Sequence, residues 1–213
     1  MGAGAGGGAE DEASGDPLDC ELQGFALSPG TGALAAAAWR RRFAVFPTPW
    51  EHSDVAPLAA YRCPDSPGSL SRDVPACIAF VPGAGQTAVV YASPLLLGKA
   101  LVYDYRRSAA LLSVGLTQMA RCMDLAPEGR ARGLMAFGGT GGTVFVVDGV
   151  TGSVAQLSGH PGPVSALRFV TGTTGQGAAE GGRRGAEGRE ELRLVAACGG
   201  TLHVWRVPLP PRT

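Results

Sequence analysis

One short phrase recurs along the chain at near-constant spacing: an apolar residue, one intervening residue, a larger apolar residue, then a small residue, Pro and Gly. It reads Phe25-Ala26-Leu27-Ser28-Pro29-Gly30, then Ile78-Ala79-Phe80-Val81-Pro82-Gly83, then Met123-Asp124-Leu125-Ala126-Pro127-Glu128-Gly129. A fourth copy, Leu167-Arg168-Phe169-Val170-Thr171-Gly172, lacks the proline. From Leu27 to Phe80, Leu125 and Phe169 the steps are 53, 45 and 44 residues. A strand has a side-chain period of two, so both apolar residues of each phrase share one face. The Pro-Gly at its end stops the strand and turns the chain. Each phrase is therefore a strand with its turn.

The stretches between the phrases repeat as well. Second strands are expected over Gly32–Trp39, Thr87–Ser93, Gly133–Phe137 and Leu192–Ala197, and third strands over Phe43–Phe46, Leu101–Tyr103, Thr143–Val147 and Thr201–Trp205. Between them, Gly141-Gly142-Thr143 and Gly199-Gly200-Thr201 supply the positive φ angles of tight hairpins. Fourth strands are expected over Ala109–Val114 and Ser153–Leu157, with a poorer one over Val55–Tyr61. Four antiparallel strands per roughly 40 to 45 residues describe the blade of a β-propeller. The fold expected is all-β, a partial β-propeller of three to four four-stranded antiparallel blades over 19–61, 73–114, 116–158 and 159–207. The fourth unit stops at Val207, because the prolines of 208–213 cannot supply a last strand.

The segment Val147-Asp148-x-x-Thr151-Gly152, Leu157-Ser158-Gly159-His160, Val164-x-x-Leu167-x-Phe169 and His203-Val204-Trp205 resembles the WD-repeat family. Residues 143–206 carry most of that signal, and 19–142 keep the rhythm with weaker motifs. The resemblance implies structural roles for Gly159, His160 and Trp205, which match the Gly-His and Trp positions of a buried hydrogen-bond network. It implies the same for Asp104 and Asp148, which end third strands where the family places its aspartate. The network is incomplete here. Glycines stand at the hairpin-aspartate positions (Gly141, Gly199), and the second-strand hydroxyl is missing near Ala196 and Ala197. Apolar packing is expected to compensate.

Composition narrows the function. Eighteen basic and eighteen acidic residues cancel, whereas nucleic-acid or anionic-membrane binding calls for a net basic field. The 33 glycines and 16 prolines suit short strands and frequent turns rather than a helical bundle. Cys20, Cys63, Cys77, Cys122 and Cys198 are widely spaced with no C-x-x-C pair, which points to buried reduced thiols rather than disulfides or zinc. No apolar signal-peptide core opens the chain, and the greasiest stretch, 88–102, is short for a bilayer. An intracellular, cytoplasmic location is expected, with nucleus or cilium as alternatives.

Residues 1–18 read as a disordered Gly/Ala-rich leader, 171–191 as a disordered insert and 208–213 as a Pro-rich tail. The proline-rich stretch 47–73 separates the first two units. Gly2-x-Gly4-x-x-Gly7 lacks the strand-turn-helix that a dinucleotide fingerprint needs. His52, His160 and His203 show no ligand spacing, and His203 is expected on a solvated strand face. Arg40–Arg42 and Arg183-Arg184 read as solvated charge, and Pro208-x-x-Pro211 as a chance polyproline pattern.

These readings lead to a non-catalytic, cofactor-free WD-repeat-like scaffold for protein–protein interaction and complex assembly. Its partners are other proteins, a second copy, or a missing propeller segment. The alternatives are RNA binding through the Arg/Gly-rich loop and a truncated piece of a larger WD-repeat protein of ciliary or centriolar, ubiquitin-ligase or chromatin type. The rim candidates are the turns after Pro29, Pro82 and Pro127, the segment Ser158–Pro163, and the Gly141 and Gly199 hairpins.

Overall fold

In the computed structural model, residues 21–29, 32–48, 55–63, 74–82, 87–127, 133–174 and 189–208 are described. They form four antiparallel sheets in chain order and a single 3-10 turn, Pro94–Leu96. Sheet 1 comprises β1 (Gly24–Leu27), β2 (Leu34–Ala38), β3 (Arg42–Pro47) and β4 (Ala59–Arg62). Sheet 2 comprises β5 (Cys77–Phe80), β6 (Ala88–Ala92), β7 (Lys99–Asp104) and β8 (Ala109–Gly115). Sheet 3 comprises β9 (Ala120–Leu125), β10 (Leu134–Gly139), β11 (Val144–Asp148) and β12 (Val154–Leu157). Sheet 4 comprises β13 (Val164–Thr174), β14 (Arg189–Cys198) and β15 (Thr201–Val207). Every neighbouring pair is antiparallel and sequential.

All four recurrent phrases fall on the first strands β1, β5, β9 and β13. The first strands of consecutive sheets lie side by side, β1 by β5, β5 by β9 and β9 by β13. The sheets therefore stack face to face, and three apolar layers fill the spaces between them. The first layer sets Ala36, Phe43 and Val45 of sheet 1 against Ile78, Tyr91 and Tyr103 of sheet 2. The second sets Val90, Ala100 and Val102 of sheet 2 against Met135, Phe137 and Phe145 of sheet 3. The third sets Ala136 and Val144 of sheet 3 against Leu167, Phe169 and Leu194 of sheet 4. In each layer, the phrase-bearing face of the later sheet meets the other face of the earlier one.

One difference from the sequence reading has a plain cause. Thr171–Thr174 and Arg189–Glu191, expected in a loop, are paired strand, with Thr174 opposite Arg189. A ladder continues on backbone hydrogen bonds alone once the core has set its register, and those ends carry no apolar signal. Residues 175–188 of that expectation, the leader 1–18 and the tail from 209 lie outside the described residues. The poorer fourth strand expected over Val55–Tyr61 is present as Ala59–Arg62, pairing Phe43 with Tyr61. Pro94 opens the 3-10 turn, and the Ser93 side chain caps it by accepting from the Leu95 N–H at 3.2 Å.

Candidate interaction surface

In an antiparallel meander, the hairpin between the second and third strands and the connector to the next sheet must lie at the same end. That end of the stack gathers Trp39–Arg41, Ser93–Gly98, Leu116–Met119, Thr140–Thr143, Ser158–Pro163 and Gly199–Gly200. The contacts bear this out. The Tyr91 hydroxyl of sheet 2 lies 2.9 Å from both the Trp39 and Arg40 carbonyls of sheet 1, and the Ser93 hydroxyl donates to the Arg40 carbonyl at 2.6 Å. Gln118 of the second connector accepts from the Gly141 N–H at 2.7 Å and donates to Thr143 Oγ1 at 2.9 Å. A Cβ at Gly142 would lie 2.8 Å from the His160 carbonyl and 2.7 Å from that of Gly162. With φ at +85°, only glycine fits there. The Cys198 thiol donates to the Gly162 carbonyl at 2.6 Å. The Gly141 hairpin, the Ser158–Pro163 segment and the Gly199 hairpin, separate in the sequence, thus form one continuous rim. The turns after Pro29, Pro82 and Pro127 lie largely outside the described residues.

The rim displays an aromatic, a cation and an apolar anchor. The Arg42 guanidinium sits 4.9 Å from the Trp39 ring centroid, a cation–π pair. Arg40, read from sequence as solvated charge, is buried, whereas Arg42 is exposed. The cause is the turn itself, whose Arg40 carbonyl is held down by Tyr91 and Ser93. Leu97 adopts a left-handed backbone, φ 52° and ψ 51°, and is 63% exposed. A bulky exposed leucine in that region of backbone space is uncommon, and such strain concentrates at ligand contacts.

Beneath the rim, His160, His203 and Trp205 form a cluster. The His160 ring lies 4.2 Å from His203 and 5.1 Å from Trp205, edge-on to both, while His203 stacks on Trp205 at 5.8 Å. His203 is therefore half-buried, not on the solvated face. It shares strand parity with Trp205, and it is Leu202 and Val204 that face out. His203 Nε2 meets the Thr201 hydroxyl at 3.0 Å. Neither ring nitrogen of His160 has a partner among the described residues. Burial, with repulsion from His203 as the second cause, lowers its pKa.

The remaining family-implied positions hold turns. Asp104 Oδ1 accepts from the Arg106 and Arg107 N–H groups, both at 3.0 Å. Asp148 Oδ1 accepts from Val150 and Thr151 at 2.8 and 3.2 Å. These donors, Val150 first, hold the Asp148 carboxyl below its ordinary pKa. The two aspartates thus do one job at equivalent places, closing the hairpin after the third strand. Gly159 has φ +103° and open space around its Cα, so backbone conformation alone demands glycine there.

Sequence reasoning missed a series of inter-sheet bonds near the first strands. The Ala76 N–H donates to Gln23 Oε1 at 2.9 Å, joining sheets 1 and 2. The Cys77 thiol donates to the Arg121 carbonyl at 3.3 Å, joining sheets 2 and 3. The Cys122 thiol donates to the Val164 carbonyl at 3.6 Å, joining sheets 3 and 4. Cys77 and Cys122 stand at the same repeat position, one residue before the apolar dyad. Aligning the phrases one residue further back would have found them. Asp124 adds a bond from Phe169 N–H at 2.6 Å and an ion pair to Arg168 at 3.1 Å.

At the opposite end, sheets 2 and 3 enclose an apolar pocket of about 390 Å³, lined by residues including Val81, Pro82, Leu112, Met135 and Val150. Among the described residues no group of three or more His, Cys, Asp or Glu is placed to hold a metal ion. No helix among them is long and apolar enough to cross a membrane.

The chain is 36% identical to Centriole proteome protein 16 of Chlamydomonas reinhardtii over an alignment 236 positions long that covers 90% of this chain and 10% of that protein. It thus spans about a tenth of the length of that relative. The crystal structure of the computationally designed Ika4 protein superposes with a TM-score of 0.58 at 16% identity, covering 88% of this chain and 92% of that one. That likeness concerns the fold alone. No family model matches the chain.

Proposed function

We propose that the four sheets are consecutive WD-repeat-like blades of a β-propeller arc, and that the chain is a non-catalytic scaffold docking a protein partner in a centriolar or ciliary assembly. The rim at the connector end is the docking face. The observation that carries this reading is the half-buried Trp39 ring set beside the exposed Arg42 and Leu97, held by hairpins that are bonded into neighbouring sheets. Aromatic and arginine anchors on a rigid frame are the residue types that dominate protein interfaces. The similarity to a centriole proteome protein supports the cellular setting.

The test is a triple variant, Trp39→Ala, Arg42→Ala and Leu97→Ser, expressed as a fluorescent fusion in ciliated cells. Wild type should concentrate at centrioles or basal bodies. The variant should be diffuse while keeping a wild-type circular dichroism melt. Equal centriolar enrichment of both would remove the rim from the mechanism, and a diffuse wild type would remove the assignment.

A further inference from the structure

The charges of this chain cancel overall, but the fold parts them. First and third strands end away from the rim, and Asp104, Asp124 and Asp148 stand near those ends, with Glu191 near the start of β14 on the same side. These carboxylates are occupied: Asp104 by Arg107, Asp124 by Arg168, Glu191 by Arg193 and Arg206, and Asp148 by backbone N–H groups. The rim end is the reverse. Arg42 opens β3, Arg62 closes β4 and Lys99 opens β7, all three exposed. None of them has an ion-pair partner among the described residues. Glu21, just before β1, is the one carboxylate at that end among those residues.

Arg42 and Arg62 stand directly opposite across the β3–β4 ladder. Like charges so placed repel and destabilise a sheet, a cost that an anion would relieve. The Trp39 ring, 4.9 Å away, takes one face of the Arg42 guanidinium. The N–H edge stays available for a carboxylate to accept two parallel bonds. Lys99 has the strand parity of Leu101 and Tyr103, which face sheet 1. It follows the exposed Leu97 by two residues. From sheet 1 to sheet 2 the rim thus presents Arg62, Arg42 and Trp39, then Leu97 and Lys99.

We infer that this stretch of the rim takes an extended acidic segment of a protein partner, its carboxylates on Arg42, Arg62 and Lys99 and an apolar side chain against Trp39 and Leu97. Spaced cations around apolar anchors suit carboxylates scattered along a peptide. The close, regular phosphates of a nucleic acid call for a longer basic run. The inference rests on the rim being the docking face and adds the chemistry of what docks there.

The experiment is fluorescence anisotropy of the full chain with a fluorescein-labelled peptide of repeated Glu-Glu-Leu. A Lys-Lys-Leu peptide of equal length and labelled poly-uridylate are the comparisons. The acidic peptide should bind and the basic one should not. Salt approaching molar, where the screening length falls to about 3 Å, should release it. Arg62→Glu with Lys99→Glu should weaken binding about tenfold, with Trp39, Arg42 and Leu97 left in place. Arg62→Glu alone should raise the melting temperature, because a glutamate opposite Arg42 turns repulsion into attraction. An unchanged or lower melt would overturn the repulsion from which the inference starts. No binding of the acidic peptide overturns it too, as does binding that the double substitution leaves intact or that poly-uridylate exceeds. Localisation in ciliated cells separates the two readings. A double variant that keeps wild-type centriolar enrichment, while the Trp39, Arg42 and Leu97 triple variant is diffuse, retains the docking face and rejects the acidic partner. Equal enrichment of the triple variant removes the docking face itself, whatever the peptide does.

Discussion

The Tyr91 hydroxyl, rooted in the second strand of sheet 2, reaches across the first apolar layer to the Arg40 carbonyl in the turn of sheet 1, 2.9 Å away. The same oxygen receives the Ser93 hydroxyl at 2.6 Å, and the Cys63 thiol donates to Tyr91 at 3.8 Å. Burial pushes the Tyr91 hydroxyl well above its ordinary pKa, so it stays a donor throughout the working pH range. Phe43 and Tyr61 lie against its ring at centroid distances of 5.2 and 6.4 Å, and both also meet Tyr103, at 5.4 and 5.2 Å.

Removing that hydroxyl leaves buried carbonyls short of a donor. Tyr91→Phe is expected to cost about 1 to 3 kcal/mol. Adding Ser93→Ala should cost more than the two separate losses combined, because Arg40 then loses both donors. Urea unfolding monitored by circular dichroism measures all three variants, and strict additivity would separate the two bonds.

Gly138 sits where the third layer is tightest. A Cβ there would lie 2.6 Å from Cys122 Sγ and 2.6 Å from Val164 Cγ1. Gly138→Ala should therefore destabilise by about 1 to 3 kcal/mol. Gly162→Ala has nothing within 4 Å of its new methyl and should change stability by less than about 0.5 kcal/mol. Thermal melts of the pair provide the comparison.

The pH response arises from His160. Its folded pKa lies below the ordinary 6.5, so the unfolded chain binds the proton more readily. Stability is complete above pH 6.5 and declines as pH falls from there towards the lower folded value. His160→Leu should flatten that part of the stability–pH curve. A curve of unchanged slope would assign the response to another group.

Cys77 is pushed up to about 12 and Cys122 to about 11, both chiefly by burial. At pH 8 almost none of either is thiolate, the form that reacts. Iodoacetamide should leave both unlabelled in the native chain within minutes and label both in urea, as peptide mass spectrometry would show. Rapid native labelling of Cys77 would mean that its layer opens far more often than the packing allows.

Much of the strand order is legible because the apolar dyads have period two and end on Pro-Gly. Those signals are local and independent of packing. His203 departs from its expected place for a physical reason. Alternation says that Leu202 and Val204 share a face, and that His203 and Trp205 share the other, but not which face turns inward. Hydrophobicity favours burying Leu202 and Val204, whereas the layer closes over Trp205, and His203 goes with it by parity. The ladder past Thr171 leaves no sequence trace because it rests on backbone groups, which every residue carries. The rim is legible only in pieces, since the contact of Gly142 with His160 and Gly162 is made by main-chain atoms across a connector.

Cys77 and Cys122 occupy the same rung of successive repeats, each with its sulfur against a neighbour's carbonyl. One type of lesion therefore reaches two adjoining seams. Oxidation of either sulfur adds polar oxygens where the thiol was a small donor, turning a clasp into a wedge. Damage to this pair would free sheet 3 from both its neighbours while the seam between sheets 1 and 2, bridged by Gln23, stays closed.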